Sequence, residues 1–446
     1  MTGPGGCRSW VLRGPATISG TVRVPGDKSI SHRALLLGAM AHGVTEIRGL
    51  LRSEDCLATL GALRALGVEI VEGAGGAVCV NGHGPEGLRE PETVLDLGNS
   101  GTTLRLLAGL LAGRPFFSLL TGDASLCRRP MRRIVDPLRA MGATLLGRSQ
   151  DGLPPLAVRG GGLSGVAWHS PIASAQVKSA ILLAGLQARG ETSITEPILS
   201  RDHTERMLVA FGVTPERAGT RVAVSGGAHL RGTRLDVPGD LSSAAFFLAA
   251  GAAPRGSGLR VEGVGVNPTR TGILDALAEM GAQVSIERGR DEGGEPVADL
   301  EVKGGRLRGI RITAELIPRL IDEIPVLAVI AALAEGETVI EGAGELRVKE
   351  VDRLTAVRDE LARLGAAVSV TGDGLTIRGG MRLSGAVVSS RGDHRMAMSL
   401  AVAALFAEGE TTIRDVGCVE TSFPGFARLL SLLAPECGIR EVQDDV

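Results

Sequence analysis

The chain has 446 residues, more than one simple hydrophobic core accommodates, so two domains are expected. An apolar content of 44% with 22% charged residues excludes a disordered or fibrous chain, and a net charge of −2 gives no surface for nucleic acid. With no Tyr and two Trp, aromatic stacking on bases or sugars is excluded as the main binding mode.

The first ten residues, MTGPGGCRSW, lack the apolar stretch of a secretory signal. Val24-Pro-Gly-Asp-Lys-Ser then predicts a strand, a Pro-Gly turn and a Ser-capped helix running through Ala34-Leu-Leu-Leu. A strand, GVTEIRG, and an amphipathic helix ending ALRALG follow it. Asn99-Ser-Gly-Thr-Thr-Leu-Arg opens a second apolar helix, and its amphipathic partner ends PLRAMG. Ala173-Ser-Ala-Gln-Val-Lys opens a third, with the strand GETSITE behind it. Val237-Pro-Gly-Asp-Leu-Ser repeats the first motif, and the amphipathic helix after it ends ALAEMG. Asp322-Glu-Ile-Pro starts a fifth apolar helix, followed by GETVIEG and ELARLG, and Gly392-Asp-His-Arg starts a sixth, followed by GETTIRD.

These are six copies of one βα unit, spaced by about 70 residues. A helix apolar all round has to be buried all round, so each unit sends one helix inside and one outside. The expected fold is therefore α/β, with two lobes of three repeats each. The matching Pro-Gly motifs place the crossings near Gly26 and Gly239, giving a lobe at 27–239 and a lobe made of 1–26 plus 240–446. The longest apolar runs, such as ALLLGAMA and LAVIAALA, end well short of the ~18 residues of a membrane span. No membrane association is expected.

Helix starts are anion sites, because their first N–H groups are unpaired and carry partial positive charge. Here they also carry Lys28 and Arg33, Asn99 and Arg105, Gln176 and Lys178, Asp322 and Glu323, and Arg395. Any one of these alone reads as a cap or a surface charge. Taken together they point to an arginine-rich cleft between the lobes, with a few carboxylates, suited to substrates bearing several phosphates or carboxylates. Of 48 basic residues only four are Lys (Lys28, Lys178, Lys303 and Lys349), and a compact ammonium does chemistry a guanidinium does not.

Other motifs carry nothing. Gly82-His-Gly-Pro-Glu-Gly contains Pro and precedes no predicted helix, so it is not a dinucleotide loop. Gly26-Asp-Lys-Ser lacks the first Gly of a phosphate-binding P-loop. The six cysteines (Cys7, Cys56, Cys79, Cys127, Cys418 and Cys437) form no C-x-x-C and share no ligand spacing with His. Neither a disulfide framework nor a structural zinc is expected, and the location implied is a reducing, bacterial cytoplasm. Cys127, beside two arginines, is an activated thiolate only if a base accompanies it, and none is visible.

The set PGDKSISHRA, LGNSGTTLRL, GDASLCRRPM, SAQVKSAILLAG, SRDHTERM, NPTRTG, RVKEVDRL, GDHRMAMS and TSFPGF, in that order over nearly the whole chain, resembles the 5-enolpyruvylshikimate-3-phosphate (EPSP) synthase family. The resemblance implies a two-lobed inside-out α/β barrel of the enolpyruvyl transferase type. It also implies transfer of the enolpyruvyl group of phosphoenolpyruvate to the 5-hydroxyl of shikimate 3-phosphate, on the route to chorismate and aromatic amino acids. No cofactor, no metal and a monomer are implied. Position by position, Lys28 resembles a group touching both substrates. Ser29, Arg33, Ser174, Gln176, Arg201, Asp322 and Lys349 resemble shikimate 3-phosphate ligands. Gly101, Arg129, Gln176, Arg353 and Arg395 resemble phosphoenolpyruvate ligands. Asp322 would be the base for the hydroxyl, and Lys28 or Glu350 the acid.

Two departures stand out. Some members of the family carry Lys where this chain has Thr421. SAQVK and SRDHTE resemble a glyphosate-tolerant branch, whose tolerance goes with Ala where this chain has Gly101, so sensitivity is expected. The nearest rival is a UDP-N-acetylglucosamine enolpyruvyl transferase, which would show Lys-Asn at Lys28-Ser29 and a Cys further ahead of the Arg-Pro than Cys127. A non-catalytic anion-binding protein on the same fold would have no use for Lys28, Asp322 and Glu350 together.

Overall fold

Six helices without a polar side organise everything around them. The computed structural model describes residues 8–253 and 258–443, so Cys7 and the leading segment 1–7 lie outside the described residues. The chain divides into two compact units, one of Gly26–Pro238 with Asp291–Glu295, the other of Met1–Pro25, Gly239–Arg290 and Pro296–Val446. The sequence boundaries did not separate out the short stretch 291–295. It counts with the first unit because Glu295 buries its carboxylate 2.7 Å from His203 Nδ1, while the Gly294 carbonyl accepts from Arg206 at 2.9 Å.

In the first unit the helices are α1 (Lys28–Met40) and α2 (Glu54–Ala65), then α3 (Gly101–Ala112) and α4 (Arg132–Ala140). After the four-residue turn α5 (Arg148–Asp151) come α6 (Ala175–Gly185) and α7 (His203–Ala210). The second unit holds α8 (Leu241–Ala252) and α9 (Gly272–Glu279), then, past the short α10 (Ile317–Leu320), α11 (Ile324–Leu333) and α12 (Arg353–Arg363). It ends with α13 (His394–Ala404) and α14 (Phe426–Leu433). In each pair the first helix is buried from its second turn onward and the second keeps one exposed face.

Each unit carries three four-stranded sheets of one design. A short edge strand lies parallel to its neighbour, and two antiparallel strands complete the sheet. Leu95–Asp96 runs parallel to Phe117–Thr121, which pairs antiparallel with Leu153–Arg159, itself paired with Thr144–Gly147. The sheets stay open, so the inside-out character lies in open sheets wrapped around buried helices, not in a closed barrel of strands.

The crossings exchange strands. Ser19–Val22, just ahead of α1, pairs with Gly258–Gly265 of the second unit, whereas Arg234–Asp236, just ahead of α8, pairs with His42–Arg48 of the first. Arg8–Gly14 lies between Gly409–Arg414 and Arg440–Gln443 as an interior strand of the last sheet.

Local signals agree with this plan, with one correction. The caps of α1 and α8 are Asp27 and Asp240, whose carboxylates accept from Ile30 N and Ser242 N; the following serines do not cap. Ser100, Ser174 and Asp393 cap α3, α6 and α13. Outer helices stop at left-handed glycines, as at Gly142 (φ 109°) and Gly365 (φ 92°), where a side chain would be strained. Gly109 on α3 lets that helix approach the backbone of Ala180 on α6 with no Cβ between them. Among the described residues no helix is long and apolar enough to cross a membrane.

Each unit has its own core, and the second contains an aromatic cluster in a chain poor in aromatics. Trp10 stacks on Phe426 at 5.6 Å, and Phe426 also meets Phe246, Phe247 and Phe423. Trp10 sits on the strand Arg8–Gly14 and is 3% exposed. Trp10→Ala is expected to destabilise the protein by about 3–5 kcal/mol, through lost burial and the cavity left under Phe426. Urea unfolding should show the lowered midpoint, and an unchanged one would contradict this packing.

Candidate active site

In the first unit the polar residues gather at the starts of α1, α3 and α6. Lys28, the first residue of α1, points its ammonium at Asp55 Oδ2 on α2, 3.0 Å away. His32, one turn on, is completely buried, with Nδ1 2.7 Å from Thr59 Oγ1 and no hydrogen-bond partner for Nε2. Burial, with Lys28 and Arg33 adding repulsion, holds its pKa well below the usual histidine range. From Thr59 a chain of hydroxyls continues to Thr103 and on to Ser100, the cap of α3, each step 2.7 Å. The backbone beside Lys28 is thus tied to the helix start that carries Gly101.

Gly101 lies against two guanidinium groups. A Cβ there would sit 2.9 Å from Arg129 Nη1 and 3.1 Å from Arg105 Nη1, so glycine is what lets both arginines close over the α3 terminus. Arg129 donates to the Asn99 side-chain oxygen, and Asn99 donates to Asp123 at 2.6 Å. Arg105 donates to Gln176 Oε1 at 2.6 Å, and Gln176 Nε2 donates to Thr102 Oγ1 at 2.9 Å. The structure therefore brings Gly101, Arg129 and Gln176 to one place.

Arg33 is placed differently from a simple ligand. It is 3% exposed and donates to Thr204 Oγ1 and Ser179 Oγ, both at 2.7 Å, and to the Ser29 carbonyl at 2.9 Å. Burial lowers its pKa to about 10, against the pull of Glu205, Asp27 and Glu295, and it remains a cation at neutral pH. Arg33 braces α1 to α6 and α7, next to Ser29 and the Ser174 cap. Arg201 stands half-buried in the loop ahead of α7, near enough to lower the Arg33 pKa.

The second unit centres on one carboxylate. Asp322 Oδ1 lies 3.4 Å from Lys349 Nζ and 3.3 Å from Arg353 Nη1, while its Oδ2 is 3.8 Å from Arg395 Nη2. Arg395 also donates to the Asp322 carbonyl at 3.1 Å. Arg353 is 1% exposed, and burial opposes its charge. Asp393, Glu350 and Asp322 more than offset that cost and raise its pKa further. Its partners are close: Asp393 Oδ2 at 2.7 Å and Glu350 Oε2 at 2.6 Å. Asp322, Glu350, Lys349, Arg353 and Arg395 thus form one network.

Sequence reasoning missed Asp55 and Asp393 as the partners of Lys28 and Arg353. Asp393 is the cap in Gly392-Asp-His-Arg, a visible signal; Asp55 has none, since it opens an ordinary outer helix. Lys178 is a correction to the grouping of polar residues at helix mouths, because it points inward and is fully buried. Lys303 is a surface residue paired with Glu301. Thr421 donates to the Cys418 carbonyl at 2.7 Å and carries no charge. The Cys127 thiol donates to the Gly122 carbonyl at 3.4 Å.

Arginine-lined helix termini with a cation-flanked carboxylate define an enzyme for small, multiply anionic substrates. The match to known proteins is narrower. A family model described as EPSP synthase (3-phosphoshikimate 1-carboxyvinyltransferase) matches residues 12–430, and the chain belongs to this family. It is 57% identical over 419 residues to a 3-phosphoshikimate 1-carboxyvinyltransferase of Desulforudis audaxviator, covering 94% of this chain and 98% of that one. A Brevibacillus brevis protein of the same name is 55% identical, with 93% and 97% covered. A solved EPSP synthase structure from Acinetobacter baumannii superposes with a TM-score of 0.86 at 46% identity, covering 98% of this chain and all of that one.

The His32 environment has a consequence for stability. In the unfolded chain its pKa returns to about 6.5, above the folded value. Below that pH the unfolded state takes up a proton that the native state refuses. Stability is therefore full above pH ~6.5 and falls as pH drops, by up to ~1.4 kcal/mol per unit from this group. Urea unfolding of wild type and His32→Gln between about pH 7.5 and 5.5 should show the shallower loss in the variant; identical slopes would overturn the assignment.

Proposed function

We propose that this chain transfers the enolpyruvyl group of phosphoenolpyruvate to the 5-hydroxyl of shikimate 3-phosphate and releases phosphate. The observation that carries the reading is the placement of Lys28 and Asp322 in a chain of this family. Lys28 is held by Asp55, and Asp322 is flanked by three cations.

Transfer proceeds by addition and elimination. Asp322 takes the proton of the attacking hydroxyl, the oxygen bonds to C2 of phosphoenolpyruvate, and a proton is delivered to its methylene carbon. Loss of phosphate then requires that a proton leave the new methyl group. Lys28, an ammonium with N–H donors, supplies the proton in the first step. Glu350, already an acceptor from Arg353 at 2.6 Å, suits its removal in the second.

Ser29, Arg33, Ser174, Gln176, Arg201 and Lys349 hold shikimate 3-phosphate in this reading. Gly101 at the α3 terminus, Arg129, Gln176, Arg353 and Arg395 hold phosphoenolpyruvate. The guanidinium groups reduce repulsion between the two polyanions and stabilise the departing phosphate.

Phosphate release with phosphoenolpyruvate and shikimate 3-phosphate, and none with a UDP-N-acetylglucosamine acceptor, is the expected assay result; the reverse would refute the proposal. Asp322→Asn keeps the shape of the network but removes the base. It should lower kcat by about 10²–10⁴-fold with the substrate KM values little changed.

A methyl at position 101 meets Arg129 and Arg105 first. Gly101→Ala is therefore expected to raise the KM for phosphoenolpyruvate and to weaken inhibition by glyphosate, each by about tenfold or more, equivalent to ~1.4 kcal/mol. The unmodified enzyme should be sensitive, and full activity in excess glyphosate would contradict that.

A further inference from the structure

Lys178 is the one lysine buried completely in the first unit, and the reaction does not use it. Its ammonium meets three acceptors: Glu196 Oε2 at 3.0 Å, Glu205 Oε1 at 2.9 Å and the Ser200 carbonyl at 3.3 Å. Glu196 and Glu205 pair with its charge, and the Ser200 carbonyl accepts its hydrogen bond. Both carboxylates are 1% exposed, so the pairing is shielded from water and salt.

Glu196 links this charge to the backbone of two loops. Its Oε1 accepts from the Ser174 N–H at 2.9 Å. Its Oε2 accepts from Ser200 twice, from the N–H at 3.3 Å and from the hydroxyl at 2.8 Å. Ser174 caps α6, and Ser200 immediately precedes Arg201. One carboxylate, fixed by Lys178, thus sets the position of both segments. Glu205 anchors the same ammonium from α7, one residue from the Thr204 hydroxyl that accepts from Arg33.

We propose that Lys178 and Glu196 are positioning residues for the phosphate of the acceptor substrate, acting through Ser174 and Arg201 without touching it. This rests on the reading that Ser174 and Arg201 are ligands of shikimate 3-phosphate. Loosening the carboxylate frees both segments, and a ligand misplaced by about an ångström loses much of its binding. The effect falls on one substrate, because Gly101 and Arg129 are held by other contacts and Gln176, shared by both substrates, is fixed to Arg105 and Thr102 of α3.

Glu196→Gln leaves the Lys178–Glu205 pair neutral overall. It is expected to raise the KM for shikimate 3-phosphate by about tenfold or more, with kcat at saturation within about twofold and the KM for phosphoenolpyruvate unchanged. Glu196→Asp, which keeps the charge, should recover part of the loss. If Glu196→Gln does not fold, the triple variant Lys178→Met with Glu196→Gln and Glu205→Gln removes all three buried charges and should show the same split. Ser174→Ala and Arg201→Ala test the underlying reading separately. If they leave the KM for shikimate 3-phosphate unchanged, the ligand assignment fails. If they raise it while both Glu196 variants and the triple variant keep the native value, or lose kcat and both KM values alike, the positioning role is overturned.

Discussion

Burying a helix on every side leaves its first N–H groups as polar atoms that something has to satisfy. Six helices here face that constraint; five meet it with Asp27, Ser100, Ser174, Asp240 and Asp393 as caps, and α11 has Pro325, which lacks an N–H, in its first turn. A cap settles one or two of those groups and leaves the terminus electropositive. Arginines and a few carboxylates then collect around the same termini, because the apolar interior along the helices offers them nowhere else to go. The demand that a packed core makes on its helix ends also prepares anion-binding sites.

The buried cations show how differently one residue type is used. Arg353 is surrounded by Asp393, Glu350 and Asp322, and the carboxylates outweigh its desolvation. Arg33 rests mainly on hydroxyls and carbonyls, and burial wins. Lys178 is a third case, balanced against Glu196 and Glu205. Each solution places the loops around it as firmly as it stabilises the charge.

The repeated units are alike in plan and unlike in chemistry. Asp27 and Asp240 cap in the same way, but the next residue is Lys28 in one copy and Leu241 in the other. Leu241 is 2% exposed, part of the second core, whereas Lys28 keeps its ammonium partly open beside Asp55. The strand exchange at the two crossings also shows that a motif contiguous in sequence is divided in space. Ser19–Val22 belongs to one unit and the helix that follows it to the other.

The sequence alone determined the repeat, the inner and outer helices and most of the helix-start residues, because these depend on local periodicity, glycine stops and polar clusters within a few residues. The family was legible too, from motifs in order along the whole chain. The pairing of charges was decided only by the tertiary structure. Asp55 opens an unremarkable outer helix, yet it holds Lys28, from which it is 27 positions removed. Asp393 joins Arg353 across 40 positions. Lys178 stands one helical turn from the Ser174 cap and reads as a substrate-facing charge until α7 and the loop before it close over it. Hydrophobic periodicity says which face of a helix is inside. Which carboxylate meets a buried cation depends on loops far apart in the chain, and packing alone brings those together.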